Sequence, residues 1–132
     1  MARIIVAEDD EIVAELVREA LMAAGHGVGV LPTGAQALAV IRARRPDLVI
    51  LDCNMPELSG LLVLREMRNS RELAGTPVLM LTGRRSDKDE TLAMWEGAND
   101  YMRKPFDPEE LAFRVDELLG TAARAGGARA RR

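Results

Sequence analysis

Residues 48–60 read LVILDCNMPELSG, in which an unbroken aliphatic run ends at an acid and passes into a loop that contains Pro56 and Gly60. A short aliphatic run of this kind is typical of a strand that is covered on both faces of a sheet. Similar runs lie on either side of it along the chain. Five strands are therefore predicted, over residues 3–7, 28–31, 48–51, 78–81 and 101–102.

Helical patterns separate these predicted strands. In the first helix, six apolar residues follow the spacing of one inward stripe: Ile12, Val13, Leu16, Val17, Ala20 and Leu21. The last helix begins with Asp107 as a candidate N-cap before Pro108. The five predicted helices cover residues 10–24, 34–44, 59–69, 87–96 and 108–119. Strands that alternate with single helices indicate a three-layer α/β domain with a doubly wound parallel sheet.

Length and charge narrow the class of protein. The 132 residues suffice for one domain, and no apolar run approaches the roughly 20 residues of a membrane-spanning helix. The N-terminal MARIIVAEDD reaches acids before a signal-peptide core could form, so we expect a cytoplasmic protein without membrane contact. Residues 1–120 hold 14 basic and 21 acidic groups, whereas residues 121–132 hold four Arg and no acid. We expect a folded domain over residues 1–120 and a basic, disordered tail or linker stub over residues 121–132.

The acidic charge of the domain argues against direct binding of nucleic acid, because phosphate contacts supply most of that affinity. The single cysteine, Cys53, cannot form an internal disulfide. Together with the single histidine, His26, it is also too little for the usual structural zinc site. Any bound metal would therefore have oxygen ligands.

Polar side chains follow four of the predicted strands, at residues Glu8, Asp9, Asp10, Asp52, Thr82 and Lys104. In doubly wound sheets, ligands bind in the crevice beyond the carboxyl ends of the strands. Carboxylates from separate strands repel one another there unless a cation neutralises them, and Mg²⁺ prefers such oxygen ligands. Lys104 and Thr82 add a positive charge and a hydroxyl donor, the groups needed to hold a phosphoryl group.

Four stretches, IIVAEDDE, LVILDCNMPELSG, PVLMLTG and GANDYMRKPF, together resemble the receiver domain of bacterial two-component response regulators. The resemblance covers residues 3 to about 119, with several motifs in a fixed order and spacing. It implies a flavodoxin-like receiver fold with five strands in the order 2-1-3-4-5.

The resemblance also implies chemistry at the strand ends. Asp52 would accept a phosphoryl group from a phosphohistidine of a sensor histidine kinase or a histidine phosphotransfer protein. Mg²⁺ would be bound by Glu8, Asp9, Asp52 and the backbone carbonyl of Asn54. Asp10 resembles the adjacent acid outside the metal pair, although Asp9 or Asp10 could equally serve as a helix cap.

Three further residues receive roles from the same resemblance. Lys104 would pair with a phosphate oxygen, and the peptide bond that joins it to Pro105 would be cis. Thr82 and Tyr101 would form a switch pair in which the Thr82 hydroxyl moves towards the phosphoryl group and the Tyr101 ring moves into the vacated space. The surface formed by the fourth helix, the fifth strand and the fifth helix would then change.

That surface holds the candidate partner residues Trp95, Asp100, Phe113 and Arg114. Trp95 and Phe113 fit either the core or an exposed aromatic patch that binds a partner. Asp100 and Arg114 match part of the charged pattern through which receivers of winged-helix regulators dimerise, but Asn99 and Thr121 depart from it. A phosphorylation-dependent homodimer therefore stays an open alternative. We expect a downstream effector, either as a separate protein or as a domain of a longer, DNA-binding regulator.

Two other functions share parts of this pattern. Haloacid-dehalogenase-like phosphohydrolases carry an acid two residues after the nucleophilic Asp, where this chain has Asn54. A flavodoxin-like electron carrier needs a hydroxyl-rich phosphate loop after the first strand, where this chain has EDDE. We therefore expect a signalling domain that at most catalyses its own phosphorylation and dephosphorylation.

Overall fold

The computed structural model describes residues 1–83 and 87–130, and it describes only the backbone for residues 87–89 and 124–130. In these residues five strands alternate with five helices. The elements are β1 (Arg3–Ala7), α1 (Glu11–Ala23), β2 (Gly27–Leu31), α2 (Gly34–Arg44), β3 (Leu48–Asp52), α3 (Gly60–Arg68), β4 (Val78–Thr82), α4 (Asp87–Glu96), β5 (Asp100–Arg103) and α5 (Pro108–Ala130).

The strands form one parallel sheet in the order β2-β1-β3-β4-β5. The predicted doubly wound α/β fold and its strand order are thus confirmed. In the central pairs, Ala7 lies opposite Leu51, and Asp52 lies opposite Leu81. The carboxyl ends of β1, β3 and β4 therefore end at one edge of the sheet.

Two apolar clusters cover the two faces of the sheet. Residues of α1 and α5 pack on one face, including Val17, Leu21, Leu111 and Val115. Residues of α2, α3 and α4 pack on the other face, including Leu38, Ile41, Leu64, Met67 and Ala93. Every residue of β3 and β4 is buried, which explains why these two strands have uninterrupted aliphatic sequences.

The predicted inward stripe of α1 is partly wrong. The buried residues of this helix are Ala14, Val17 and Leu21, whereas Ile12 is 75% exposed and Leu16 is 44% exposed. Six apolar positions span a wider arc than the sheet can cover, so the pair at one flank of the stripe faces outward. The structure contains no described helix with the length and hydropathy needed to span a bilayer.

The last helix is longer than expected. The sequence pattern predicts an end at Leu119, whereas α5 continues to Ala130. Its second half is rich in Ala and Arg, which are strong helix formers, and isolated glycines are tolerated within a helix at a modest cost. The helix thus passes residue 120, and the domain boundary predicted there, with a disordered tail beyond it, stays a prediction. The role of this segment as a linker stays a prediction.

A half-buried arginine, Arg68, joins α3 to the segments on either side of β4. Its guanidinium group donates to the side-chain oxygen of Asn99 at 2.9 Å. It also donates to four backbone carbonyl oxygens, those of Leu73, Ala74, Thr76 and Gly97. The same Asn99 oxygen accepts from the amide of Val78 at 2.8 Å. Asn99 therefore has a structural role here, in place of the acid expected for a charged dimer surface.

We expect Arg68→Ala to lower the free energy of unfolding by about 2 kcal/mol or more, because several half-buried carbonyl groups would lose a charged donor. Urea denaturation at constant m-value measures this change. The matched control is Arg65→Ala, which removes an exposed ion pair with Glu96 on the same pair of helices and should cost clearly less. Equal losses in the two variants would contradict the structural role of Arg68.

Candidate functional site

Three carboxylates meet at the carboxyl edge of the sheet. One oxygen of each of Glu8, Asp9 and Asp52 lies within 4.8 Å of the others. Glu8 directly follows β1 and Asp52 ends β3, and these strands are neighbours in the sheet. Glu8 and Asp52 are buried, whereas Asp9 is exposed. The register of β1 against β3 thus brings together the acids that the sequence analysis selected.

Lys104 reaches this cluster from the end of β5, which lies on the opposite side of β4 from β3. Its Nζ lies 2.5 Å from Glu8 Oε1 and 3.3 Å from Asp52 Oδ2. The backbone amide of Lys104 donates to the carbonyl oxygen of Thr82 at 2.7 Å. The peptide bond between Lys104 and Pro105 is cis, the isomer that the resemblance implies. Lys104 directly follows β5, and its side chain is directed at the acids.

The electrostatics of the cluster reflect burial first and neighbouring charges second. Burial raises the pKa of Glu8 to about 7, with Lys104 opposing this rise and Asp52 adding to it. Burial alone would lower the pKa of Lys104, but its contact with Glu8 and the charge of Asp52 outweigh burial and raise it. Lys104 is therefore a fixed cation, and one ammonium group does not neutralise three carboxylates.

The donor set fits a hard divalent cation. All three side chains offer carboxylate oxygens, the ligands that Mg²⁺ prefers. Glu8 Oε1 is buried and has an ion-pair partner in Lys104, but this contact lacks the alignment of a hydrogen bond. A buried carboxylate oxygen without an aligned donor is suited to accept a metal bond. The cluster of Glu8, Asp9 and Asp52 can therefore hold a metal ion.

Two neighbouring residues orient the acids. Asp10 is the N-cap of α1 and accepts from the amides of Ile12 and Val13 at 2.9 and 3.1 Å. Its own amide donates to Glu8 Oε2 at 3.2 Å. The helix-cap role weighed for Asp9 or Asp10 thus belongs to Asp10. The amide of Asn54 donates to Asp52 Oδ1 at 3.2 Å, while a metal-binding role of its carbonyl stays a prediction.

The loop between β3 and α3 is held by close backbone contacts. The amide of Gly60 donates to the carbonyl oxygen of Cys53 at 3.0 Å. A Cβ at Gly60 would lie only 2.0 Å from the carbonyl oxygen of Asp52. On the opposite side of the loop, a Cβ at Gly34 would lie 1.8 Å from the carbonyl oxygen of Leu58. Gly34 at the start of α2 and Gly60 at the start of α3 thus approach neighbouring backbone at distances that only glycine allows.

The proposed switch residues are in contact. Thr82 is buried at the end of β4, and its hydroxyl donates to the Tyr101 hydroxyl at 3.1 Å. The Tyr101 side chain is only 8% exposed. The movement of the two side chains that the resemblance implies stays a prediction.

The candidate partner surface divides into exposed and paired side chains. Trp95 is 86% exposed and Phe113 is 64% exposed, so neither belongs to the core. Arg114 instead pairs within the chain, donating to Asp100 Oδ1 at 3.1 Å, to Glu110 Oε1 at 2.9 Å and to the carbonyl oxygen of Tyr101 at 3.0 Å. The charged groups considered for dimerisation therefore already have partners in one molecule.

The contacts of Arg68 with Asn99 and with the loops around β4 are not predicted by the sequence pattern. The contact between His26 Nε2 and Asp116 Oδ1, at 2.8 Å, is likewise not predicted, and it joins the loop between α1 and β2 to α5. Neither set has a periodic signal in the sequence, because each joins residues that only the folded topology brings together.

The chain matches the family model described as "Response regulator receiver domain" over residues 4–116. It therefore belongs to the family of response regulator receiver domains, and the resemblance inferred from the four motifs is confirmed. Receiver domains are signalling modules rather than a class of classical enzymes.

The curated relatives are longer proteins. The chain is 41% identical over 117 residues to the "DNA-binding response regulator MtrA" of Mycolicibacterium smegmatis, covering 89% of this chain and 50% of that protein. It is 38% identical to the "Probable transcriptional regulatory protein TcrX" of Mycobacterium tuberculosis, covering 88% of this chain and 49% of that protein. The chain thus spans about half the length of these relatives.

Solved structures show the same fold. A CheY-like receiver domain protein of Methanospirillum hungatei superposes with a TM-score of 0.88 at 25% identity, covering 95% of this chain and 98% of that one. NtrX of Brucella abortus superposes with a TM-score of 0.91 at 29% identity, covering 99% of this chain and 30% of that one. The fold thus occurs both as a whole chain and as part of a longer regulator.

We expect Gly60→Ala to lower the free energy of unfolding by about 1–3 kcal/mol, because the added methyl group would collide with the backbone of Asp52. Urea denaturation measures the loss. The control is Gly83→Ala, where a Cβ meets no atom within 4 Å, and a change within about 0.5 kcal/mol is expected. Similar values for the two variants would contradict the close approach at Gly60.

Proposed function

We propose that Asp52 is the phosphoacceptor of this receiver domain. The observation that carries the proposal is the position of its carboxylate, which ends β3 between Lys104 Nζ and the amide of Asn54 and borders Glu8 and Asp9. Asp52 is the acid at the centre of this arrangement, with a cationic donor on one oxygen and a backbone donor on the other.

The proposed reaction is a phosphoryl transfer between two side chains. An oxygen of Asp52 attacks the phosphorus of a phosphohistidine, so that an O–P bond forms while the P–N bond breaks. The electron pair of the broken bond remains on the histidine nitrogen, which takes up a proton. Hydrolysis reverses the modification when water attacks phosphorus, which releases inorganic phosphate and restores the Asp52 carboxylate.

The side chains around Asp52 have separate tasks. Glu8, Asp9, Asp52 and the carbonyl oxygen of Asn54 would hold Mg²⁺, which when bound neutralises negative charge on the phosphoryl group. Lys104 contacts both Asp52 and Glu8, so it is placed to pair with a phosphoryl oxygen on Asp52. Its charge is fixed at neutral pH because its pKa is raised.

Thr82 and Tyr101 would carry the change to the surface. A phosphoryl group on Asp52 offers acceptors that compete with the Tyr101 hydroxyl for the Thr82 proton. Tyr101 lies in β5, and its carbonyl oxygen is bound by Arg114 of α5. A shift of the tyrosine is thereby coupled to α5, and the exposed Trp95 and Phe113 lie on the two helices that flank β5.

The partners follow from this assignment. We propose a sensor histidine kinase or a histidine phosphotransfer protein as the phosphodonor, in the cytoplasm. Ile12 and Leu16 are exposed apolar side chains on α1, whose N-cap directly follows the acidic cluster, and they form a suitable docking surface for that donor. The output would pass to an effector domain of a longer, DNA-binding regulator, since the similar protein MtrA is a DNA-binding response regulator about twice as long as this chain. A phosphorylation-dependent homodimer stays a prediction.

We expect Asp52→Asn to abolish phosphorylation, because an amide oxygen is a poor nucleophile for phosphorus. The chain is incubated with acetyl phosphate and Mg²⁺, and intact-mass spectrometry should detect one added phosphoryl group only in the unaltered protein. Glu19→Gln, which neutralises an exposed acid on α1, is the control and should be phosphorylated normally. An undiminished mass increase in Asp52→Asn would exclude this residue as the acceptor.

Lys104→Ala should leave Mg²⁺ binding as tight as before or tighter, since a cation next to the acidic cluster is removed. The response of Thr82 and Tyr101 amides to beryllofluoride, followed by NMR, should be largely lost. Lys88→Ala, which alters the only other lysine of the chain, is the control. A beryllofluoride response that matches the unaltered protein would refute the role given to Lys104.

A further inference from the structure

An apolar groove of about 410 Å³ lies at the margin of the sheet, beside the edge strand β2. Its walls come from β1, β2 and α2 and include Ile5, Leu31, Val40 and Pro46. Two arginines, Arg3 and Arg44, border the groove. Arg3 begins β1 and Arg44 ends α2, so the charged border lies towards the amino-terminal edge of the sheet, opposite the acidic cluster.

Two glycines in β2 open this groove. Gly27 pairs with Arg3 and Gly29 pairs with Ile5, and alternate residues of a strand share one face. Two successive positions on this face of the edge strand therefore have no side chain. A Cβ at Gly29 would lie 3.3 Å from Ile5 Cδ1, so the isoleucine leans across the space that a side chain would fill. All five residues of β2 are only half-buried.

The arginines give the groove a charge preference. Both are exposed, and neither guanidinium group has an ion pair or hydrogen bond with any residue that the structure describes. The nearby acid Asp47 accepts from the backbone amide of Arg3 at 2.8 Å. By contrast, Arg42, which lies on α2 like Arg44, forms an ion pair with Glu66. Guanidinium groups bind carboxylates through paired, charge-assisted hydrogen bonds.

We propose that this groove is a binding site for an amphipathic monocarboxylate, with an aliphatic chain along Ile5, Val40 and Leu31 and a carboxylate on Arg3 and Arg44. The volume and the apolar walls are typical of sites for small molecules, in which a few polar groups fix the orientation of the ligand. The negative ligand complements the two unpaired cations. The site is separate from the proposed phosphoacceptor and does not depend on it.

Decanoate below its micellar concentration is the probe, titrated into the full chain and followed by ¹⁵N NMR and calorimetry. Saturable shifts are expected at the amides of Gly27, Gly29, Val40 and Arg44. Decanol and decyltrimethylammonium should bind at least about 10-fold more weakly, because the alcohol has no negative charge to pair with the two arginines and the ammonium is repelled by them. Equal binding of decanol, or no saturable shift at these amides, would overturn the proposal.

Variants separate the charged border from the apolar wall. Arg3→Gln combined with Arg44→Gln should weaken decanoate binding by about 10-fold or more, and both substituted side chains are exposed. Arg18→Gln combined with Arg42→Gln, which removes two exposed arginines outside the groove, should leave binding unchanged. Gly29→Ala should also weaken binding, with circular dichroism to verify its fold. Unchanged affinity in the Arg3/Arg44 variant would refute the site.

Discussion

The functional site depends on one electrostatic constraint, the meeting of two buried carboxylates with a single ammonium group. Buried charges are costly unless they are paired, and the raised pKa of Glu8 shows that Lys104 compensates only part of this cost. The strand order makes the meeting possible. β1 and β3 are neighbours, so short acids suffice there, but β5 lies two strands from β3 and only a long side chain from its end can reach Asp52.

Much of the fold could be predicted from the sequence, because its apolar patterns reflect which residues are buried. The aliphatic runs of β3 and β4 predicted strands covered on both faces, and the polar residues after the strands predicted which side chains meet at the edge. Periodicity alone could not set the orientation of α1, because Ile12 and Leu16 are as apolar as the residues that face the sheet. The contacts of Arg68 and His26 were equally hidden, since each joins distant parts of the chain through polar atoms. The groove beside β2 is open because Gly27 and Gly29 have no side chains. A sequence pattern of reactive or ligand-binding residues does not reveal such a site.

The surface around β5 combines rigid and exposed parts. Asp100 and the Tyr101 carbonyl are both held by Arg114, and the Tyr101 hydroxyl contacts Thr82 at the edge of the acidic cluster. β5 therefore contacts Thr82, at the edge of the acidic cluster, through the Tyr101 hydroxyl. It contacts Arg114 of α5 through the Asp100 side chain and the Tyr101 carbonyl oxygen. Trp95 and Phe113 stand outside this network, so they are available to a partner without breaking any of these hydrogen bonds.

The two glycines that flank the loop after β3 have a consequence for how such domains diverge. Gly34 and Gly60 bring the first turns of α2 and α3 against backbone at the two ends of this loop, at Leu58 and at Asp52 respectively. A chain that gained or lost a residue between 52 and 60 would have to rebuild both helix starts at once. Length variation in this part of the molecule is therefore expected to be rare, even though the loop itself lies at the surface.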